Sequence, residues 1–132
     1  ALRQALKYSG IKSSDIEYVN LHGTGTKLND IMELEALMEV FGEDIKNIPI
    51  SSTKDRHGHA IAAAGIQELS MLCLSLENGL LPCNLNLRLP LKKEEVDLIM
   101  DENREKDISI GMTCNYSFGG VNSALIIQKI KE

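Results

Sequence analysis

Ile16-Glu17-Tyr18-Val19-Asn20-Leu21, running straight into His22-Gly23-Thr24-Gly25-Thr26, decides how the rest of the chain is read. The first six residues carry β-branched and aromatic side chains in a compact run, which predicts a strand. The next five hold two glycines and two threonines, a composition that supports neither strand nor helix and predicts a tight loop at the strand's end. Beyond it, Asp30 can cap a helix whose apolar residues Ile31, Leu34, Leu37, Met38 and Phe41 lie three or four apart, and Gly42 stops it. Ile48-Pro49-Ile50 then opens a second strand that ends in Ser51-Ser52-Thr53-Lys54. Strand, loop, helix, strand is a crossover unit, so the two strands are expected to be parallel and the fold α/β.

The flanks extend this pattern. Leu2, Ala5 and Leu6 recur at helical spacing before Gly10, a residue suited to a left-handed helix end. Downstream, Gly58-His59 precedes Ala60 to Asn78, whose apolar residues cover nearly the whole helical circumference, and this predicts a helix buried on all sides. Pro82 to Leu89 reads as extended coil, and the charge-dense Lys92 to Asp107 as a solvated connector. Ile108 to Cys114 reads as a third strand, Phe118-Gly119-Gly120 as a glycine turn, and Ser123 to Ile130 as a fourth strand antiparallel to the third. No repeat or linker interrupts residues 1–132, which are taken as one unit.

The chain of 132 residues is 43% apolar and 25% charged, as a globular domain is. A formal charge of −5 provides no basic field for a nucleic-acid backbone. No apolar run approaches the ~20 residues that a bilayer requires, and the N-terminus carries no basic and apolar leader, so neither a membrane partner nor export is expected. Cys73, Cys83 and Cys114 are widely spaced and form no CxxC pair, which argues against a disulfide framework and a zinc site and points to a reducing cytoplasm. With no Trp and only Tyr8, Tyr18, Phe41, Tyr116 and Phe118 as aromatics, the core is expected to be aliphatic.

In parallel α/β units the functional loops gather at the carboxyl ends of the strands. That would bring together His22, Lys54, His59 and the Phe118 turn. Two neutral imidazoles can each donate a hydrogen bond to one oxygen that is gaining negative charge, which makes a carbonyl-polarising site. The residues alone also allow a plainer reading, in which His22 and its glycines merely shape a turn. His57-Gly58-His59 lacks the further ligands at the spacing a metal site needs. A lysine near so apolar a helix needs a carboxylate, and Glu68 is the only one between Ala60 and Leu76. Whether that pair only braces the core or sets the field around His59 stays open.

His22-Gly-Thr-Gly-Thr26 with Asp30 and Glu33, Ser52-Thr-Lys54, Gly58-His59 with Ala63-Ala64-Gly65, and Phe118-Gly-Gly-Val-Asn122 together resemble the C-terminal half of a β-ketoacyl-acyl carrier protein synthase. These are the condensing enzymes of fatty-acid and polyketide synthesis in the thiolase superfamily, and the resemblance runs over essentially the whole chain in order. It implies a thiolase-like α/β half, with a mixed, mostly parallel sheet and helices on both faces. It also implies roles: His22 and His59 as the histidines of a Cys-His-His triad, Lys54 as the lysine of the Ser-Thr-Lys box, and Glu68 as its acid. Asp30, Glu33, Thr24 and Thr26 become supporting residues. Phe118, with Gly119 and Gly120, becomes the gate to the nucleophile. The implied reaction is a decarboxylative Claisen condensation of an acyl thioester with malonyl-acyl carrier protein, without metal or cofactor.

The resemblance puts the acylated cysteine in an N-terminal half, so this chain is expected to start inside the C-terminal half and to be inactive alone. The implied partners are that N-terminal half, the acyl carrier protein, and acyl and malonyl thioesters, with a homodimer when the enzyme is complete. The alternative is a non-catalytic subunit similar to a chain-length factor. A generic small-molecule domain would need a phosphate loop, and none is present. Cys73 and Cys83 read as small buried hydrophobes, and Cys114 stands where the family usually has asparagine. Asn29, Asp55-Arg56-His57, Ala62 and Asn115-Tyr116-Ser117 also depart from the family pattern.

Overall fold

The computed structural model describes residues 1–130. Helix α1 (Leu2–Ser9) leads to strand β1 (Tyr18–Asn20), helix α2 (Lys27–Phe41) and strand β2 (Pro49–Ser51). The short helix α3 (Lys54–His57) and helix α4 (Ala64–Asn78) follow, then β3 (Leu80–Leu81), β4 (Asp97–Leu98), β5 (Arg104–Glu105), β6 (Ile110–Tyr116) and β7 (Asn122–Gln128). The main sheet has the order β4-β2-β1-β6-β7, and β3 and β5 form a small separate pair. Strand β1 lies parallel to both β2 and β6, with Val19 opposite Ile50 and Met112, while β6 and β7 form an antiparallel hairpin. The mixed, mostly parallel sheet expected from the sequence is therefore present.

Period-two alternation along the strands separates two cores. Val19, Leu21, Ile50, Met112 and Cys114 face α2, where Leu34, Leu37 and Phe41 meet them. Tyr18 points the other way, into a cluster with Leu72 and Leu76 of α4 and with Leu81, Ile99 and Ile108. Helices thus cover both faces. The fit of α4 is close: a Cβ on Gly111 would lie 2.5 Å from Leu72 Cδ1. A side chain at 111 would force Leu72 out of its present rotamer.

Three expectations need correction. Lys92 to Asp107 is not a simple connector: it contributes β4, parallel to β2, and buries Val96 and Ile99. Its charges lie around two apolar anchors, which charge density conceals. Helix α2 begins at Lys27 with Thr26 as its N-cap residue, so Asp30 sits in the first turn and does not cap it. Helix α4 begins at Ala64 after a 3-10 turn over Ile61–Ala63, and it buries one stripe: Ala64, Glu68, Leu72, Ser75 and Leu76. Ile66 and Leu74 on its other side are 61% and 51% exposed, and Cys73 is exposed as well. Among the described residues, no helix is long and apolar enough to cross a membrane.

Candidate active site

Because β1, β2 and β6 run parallel, their carboxyl ends deliver three loops to one edge of the sheet. The first holds His22, which is 5% exposed. The Glu33 carboxylate, in the second turn of α2, accepts the N–H of His22 at 2.8 Å and that of Gly23 at 2.9 Å. Burial raises the Glu33 carboxyl to about 7, against the lowering effect of those two N–H groups. Asp30 does the same for the outer loop, taking the Gly25 N–H at 3.2 Å, and Asn29 donates to both carboxylates. Thr24 and Thr26 join their hydroxyls at 3.0 Å on the exposed part of the loop.

The second loop lies against the first. Ser52 Oγ donates to the Gly23 carbonyl at 3.1 Å. Lys54 is 8% exposed, and its ammonium reaches two partners: Glu68 Oε1 in close contact, and His22 Nδ1 at 3.3 Å. Burial lowers Lys54 to about 8, while the Glu33 charge acts in the opposite direction, so it remains an ammonium at neutral pH. Glu68 is completely buried in α4, with Oε2 lacking a partner among the described residues. The pair is therefore inside the protein, and it is in direct contact with an imidazole.

His59 is exposed, and its ring meets that of His22 edge to face, with centroids 5.3 Å apart and planes at 86°. The N–H of Ile61 donates to His59 Nδ1 at 3.2 Å, from a backbone with φ of 51°. A β-branched residue rarely takes that conformation, and here it turns an amide back onto the ring. Burial, the Lys54 ammonium and the neighbouring His59 together lower His22 from 6.5 to about 4, so it is a neutral imidazole near neutrality. Both rings have a donor at Nδ1, so the N–H of each ring is assigned to Nε2. Two adjacent Nε2–H groups can hold one oxygen that gains charge.

The third loop is less engaged. Phe118 is fully exposed, and the turn around it has positive φ at Gly119 and Gly120. The residue before the turn, Tyr116, does touch the site: its ring lies edge on to His22, 5.9 Å away. In the sequence Tyr116 stands out only as a departure from the family pattern, and the amide of Ile61 does not stand out at all. Nothing in a tyrosine at a strand end or in an isoleucine announces a contact made through the fold. A cleft of about 490 Å³ under the loops is lined by Gly23, Asp30, Glu33 and leucines, but not by either histidine. His57 stands apart from the pair, bonding through Nε2 to Thr53 at 3.1 Å. Burial pushes the Cys114 thiol up, which disfavours a thiolate there. Among the described residues, no group of three or more His, Cys, Asp or Glu is placed to hold a metal.

The profile of the family described as "Beta-ketoacyl synthase, C-terminal domain" matches residues 1–88. The chain is 34% identical to 3-oxoacyl-[acyl-carrier-protein] synthase 2 of Rhizobium meliloti over 97% of its own length and 30% of the relative's. It superimposes with a TM-score of 0.93 and 32% identity on a structure described as a type II polyketide acyl-carrier protein in complex with its ketosynthase bound to the hexaketide, covering 98% of this chain and 32% of that one. The ishigamide ketosynthase/chain length factor gives 0.92 and 28% identity, with the same coverage of each chain. The chain thus spans about a third of the length of the curated relatives it matches.

Proposed function

Because this chain belongs to the β-ketoacyl synthase family through that C-terminal domain, we propose that it supplies the carbonyl-polarising side of a 3-oxoacyl-acyl carrier protein synthase site. The observation that carries this reading is the pair of imidazoles in contact, each with Nδ1 engaged by a donor. His22 and His59 would both donate Nε2–H to the thioester oxygen of malonyl-acyl carrier protein. As the bond to the carboxylate breaks, carbon dioxide leaves and its electron pair forms an enolate held by those two donors. The enolate carbon then attacks an acyl thioester on a cysteine in the N-terminal half of the synthase, and the cysteine leaves as thiolate. Lys54 keeps His22 neutral and oriented, and Glu68 keeps the buried ammonium paired. Asp30, Glu33, Thr24 and Thr26 hold the loop, and the Phe118 turn controls access to the nucleophile. The complete enzyme would work in the cytoplasm as a homodimer.

The test is malonyl decarboxylation by the synthase that carries this chain. Losing one donor of such a pair should slow the step by about 10²- to 10³-fold, in His22→Ala and in His59→Ala alike. Unchanged rates in folded variants would favour the rival reading, a non-catalytic subunit similar to a chain-length factor.

A further inference from the structure

We infer that Tyr116 is a positioning residue for His22: its ring forms the side wall that fixes the angle at which His22 faces His59. Four groups surround the His22 ring, the Asn115 side chain among them as a hydrogen-bond partner. Lys54 approaches Nδ1, His59 meets the ring edge to face at 5.3 Å, and Tyr116 meets it at 5.9 Å with planes at 83°. The first two come from the second loop and the approach to α4, whereas Tyr116 and Asn115 come from β6. Lys54 and Asn115 hold the ring through its polar atoms and leave a residual swing about them. An aromatic wall removes the swing, because edge-to-face rings prefer a narrow range of angles.

Tyr116 is itself held. It is the last residue of β6, opposite Asn122 of β7, where the Ser117 N–H closes the turn onto the Val121 carbonyl at 2.9 Å. Its ring packs on the core shared by the sheet and α2, so it cannot follow a displaced His22. The hydroxyl is enclosed and reaches no nitrogen or oxygen partner among the described residues, only the Cys114 thiol. The hydroxyl makes no hydrogen bond to His22, whose ring meets that of Tyr116, so the ring and not the oxygen is the part that acts. Tyr116→Phe should therefore keep the function that Tyr116→Leu loses.

The inference rests on the reading of His22 as a carbonyl-polarising group, and the experiment separates the two. In the synthase that carries this chain, Tyr116→Leu should lower kcat for malonyl decarboxylation by about 10- to 100-fold with little change in KM, as a misplaced donor does. The imidazole ¹⁵N signals of His22 should shift at the same time, and Tyr116→Phe should retain both the rate and the signals. Should the leucine variant fail to fold, Tyr116→Met removes the ring with an unbranched side chain of similar reach. A folded ring-less variant with normal kcat and unshifted His22 signals overturns the inference. So does a phenylalanine variant as impaired as leucine. If His22→Ala decarboxylates normally, the functional reading falls, while the ¹⁵N signals of the Tyr116 variants still decide the positioning.

Discussion

Gly23 meets two demands that no other residue satisfies together. Its φ of 43° lies in the left-handed region, and a Cβ there would come within 2.4 Å of Ser52 Cβ. Gly23→Ala should cost about 2 to 4 kcal/mol in denaturant unfolding, from backbone strain and overpacking combined. Adding Ser52→Gly should recover the steric part and leave the dihedral part; a fully stable Gly23→Ala chain would contradict the loop geometry. His22 sets a second expectation. Its folded value, about 4, lies below its ordinary 6.5, so the folded state binds fewer protons than the unfolded one between those limits. The stability associated with neutral His22 is present above 6.5 and is lost as pH falls toward 4. His22→Gln should flatten that part of the stability-against-pH curve, and an unchanged slope would show that His22 is not depressed. Residue types made His22, Lys54 and His59 legible as candidates in the sequence. The contacts that tune them, from the Ile61 amide and the Tyr116 ring, were not legible, because they are made by groups whose identity says nothing about where they point.

Between elements, the strongest connection is that of Lys54, at the start of α3, with Glu68 in α4. Both charges are buried, so removing one strands the other, at a cost of about 3 to 5 kcal/mol. Glu68→Leu should therefore destabilise more than the double variant Glu68→Leu with Lys54→Met. That ordering, read from urea midpoints, would fail if water reached the pair. In the sequence, the helical spacing of α2 and the β-rich run before His22 were sufficient to place β1, α2 and β2. The strand β4 is not legible there, since it is only Asp97–Leu98 within a charged segment. Its apolar signal is Val96 and Ile99, one on either side, and a strand so short has no room for alternation.

Across the whole molecule, α4 presents an unusual division. One stripe closes the core against Gly111 and Tyr18, while Ile66 and Leu74 stand in solvent. If the N-terminal half of the synthase covers this side, Ile66→Glu with Leu74→Glu should leave the stability of these residues within about 0.5 kcal/mol. Activity of the complete enzyme should be lost, and a fully active double variant would place the N-terminal half elsewhere. The sequence alone was enough for the α/β class, the parallel crossover and the candidates His22, Lys54, Glu68 and His59, because periodicity and residue chemistry are local properties. It could not tell that α4 buries a single stripe, since an apolar surface reads the same whether or not anything packs on it. Nor could it tell which nitrogen of each histidine is engaged. Those facts depend on distances between segments far apart in the chain, such as Lys54 to His22 Nδ1 at 3.3 Å and His22 to Tyr116 at 5.9 Å. Only the packing of the sheet between α2 and α4 brings such groups together, and with them the field that keeps His22 neutral.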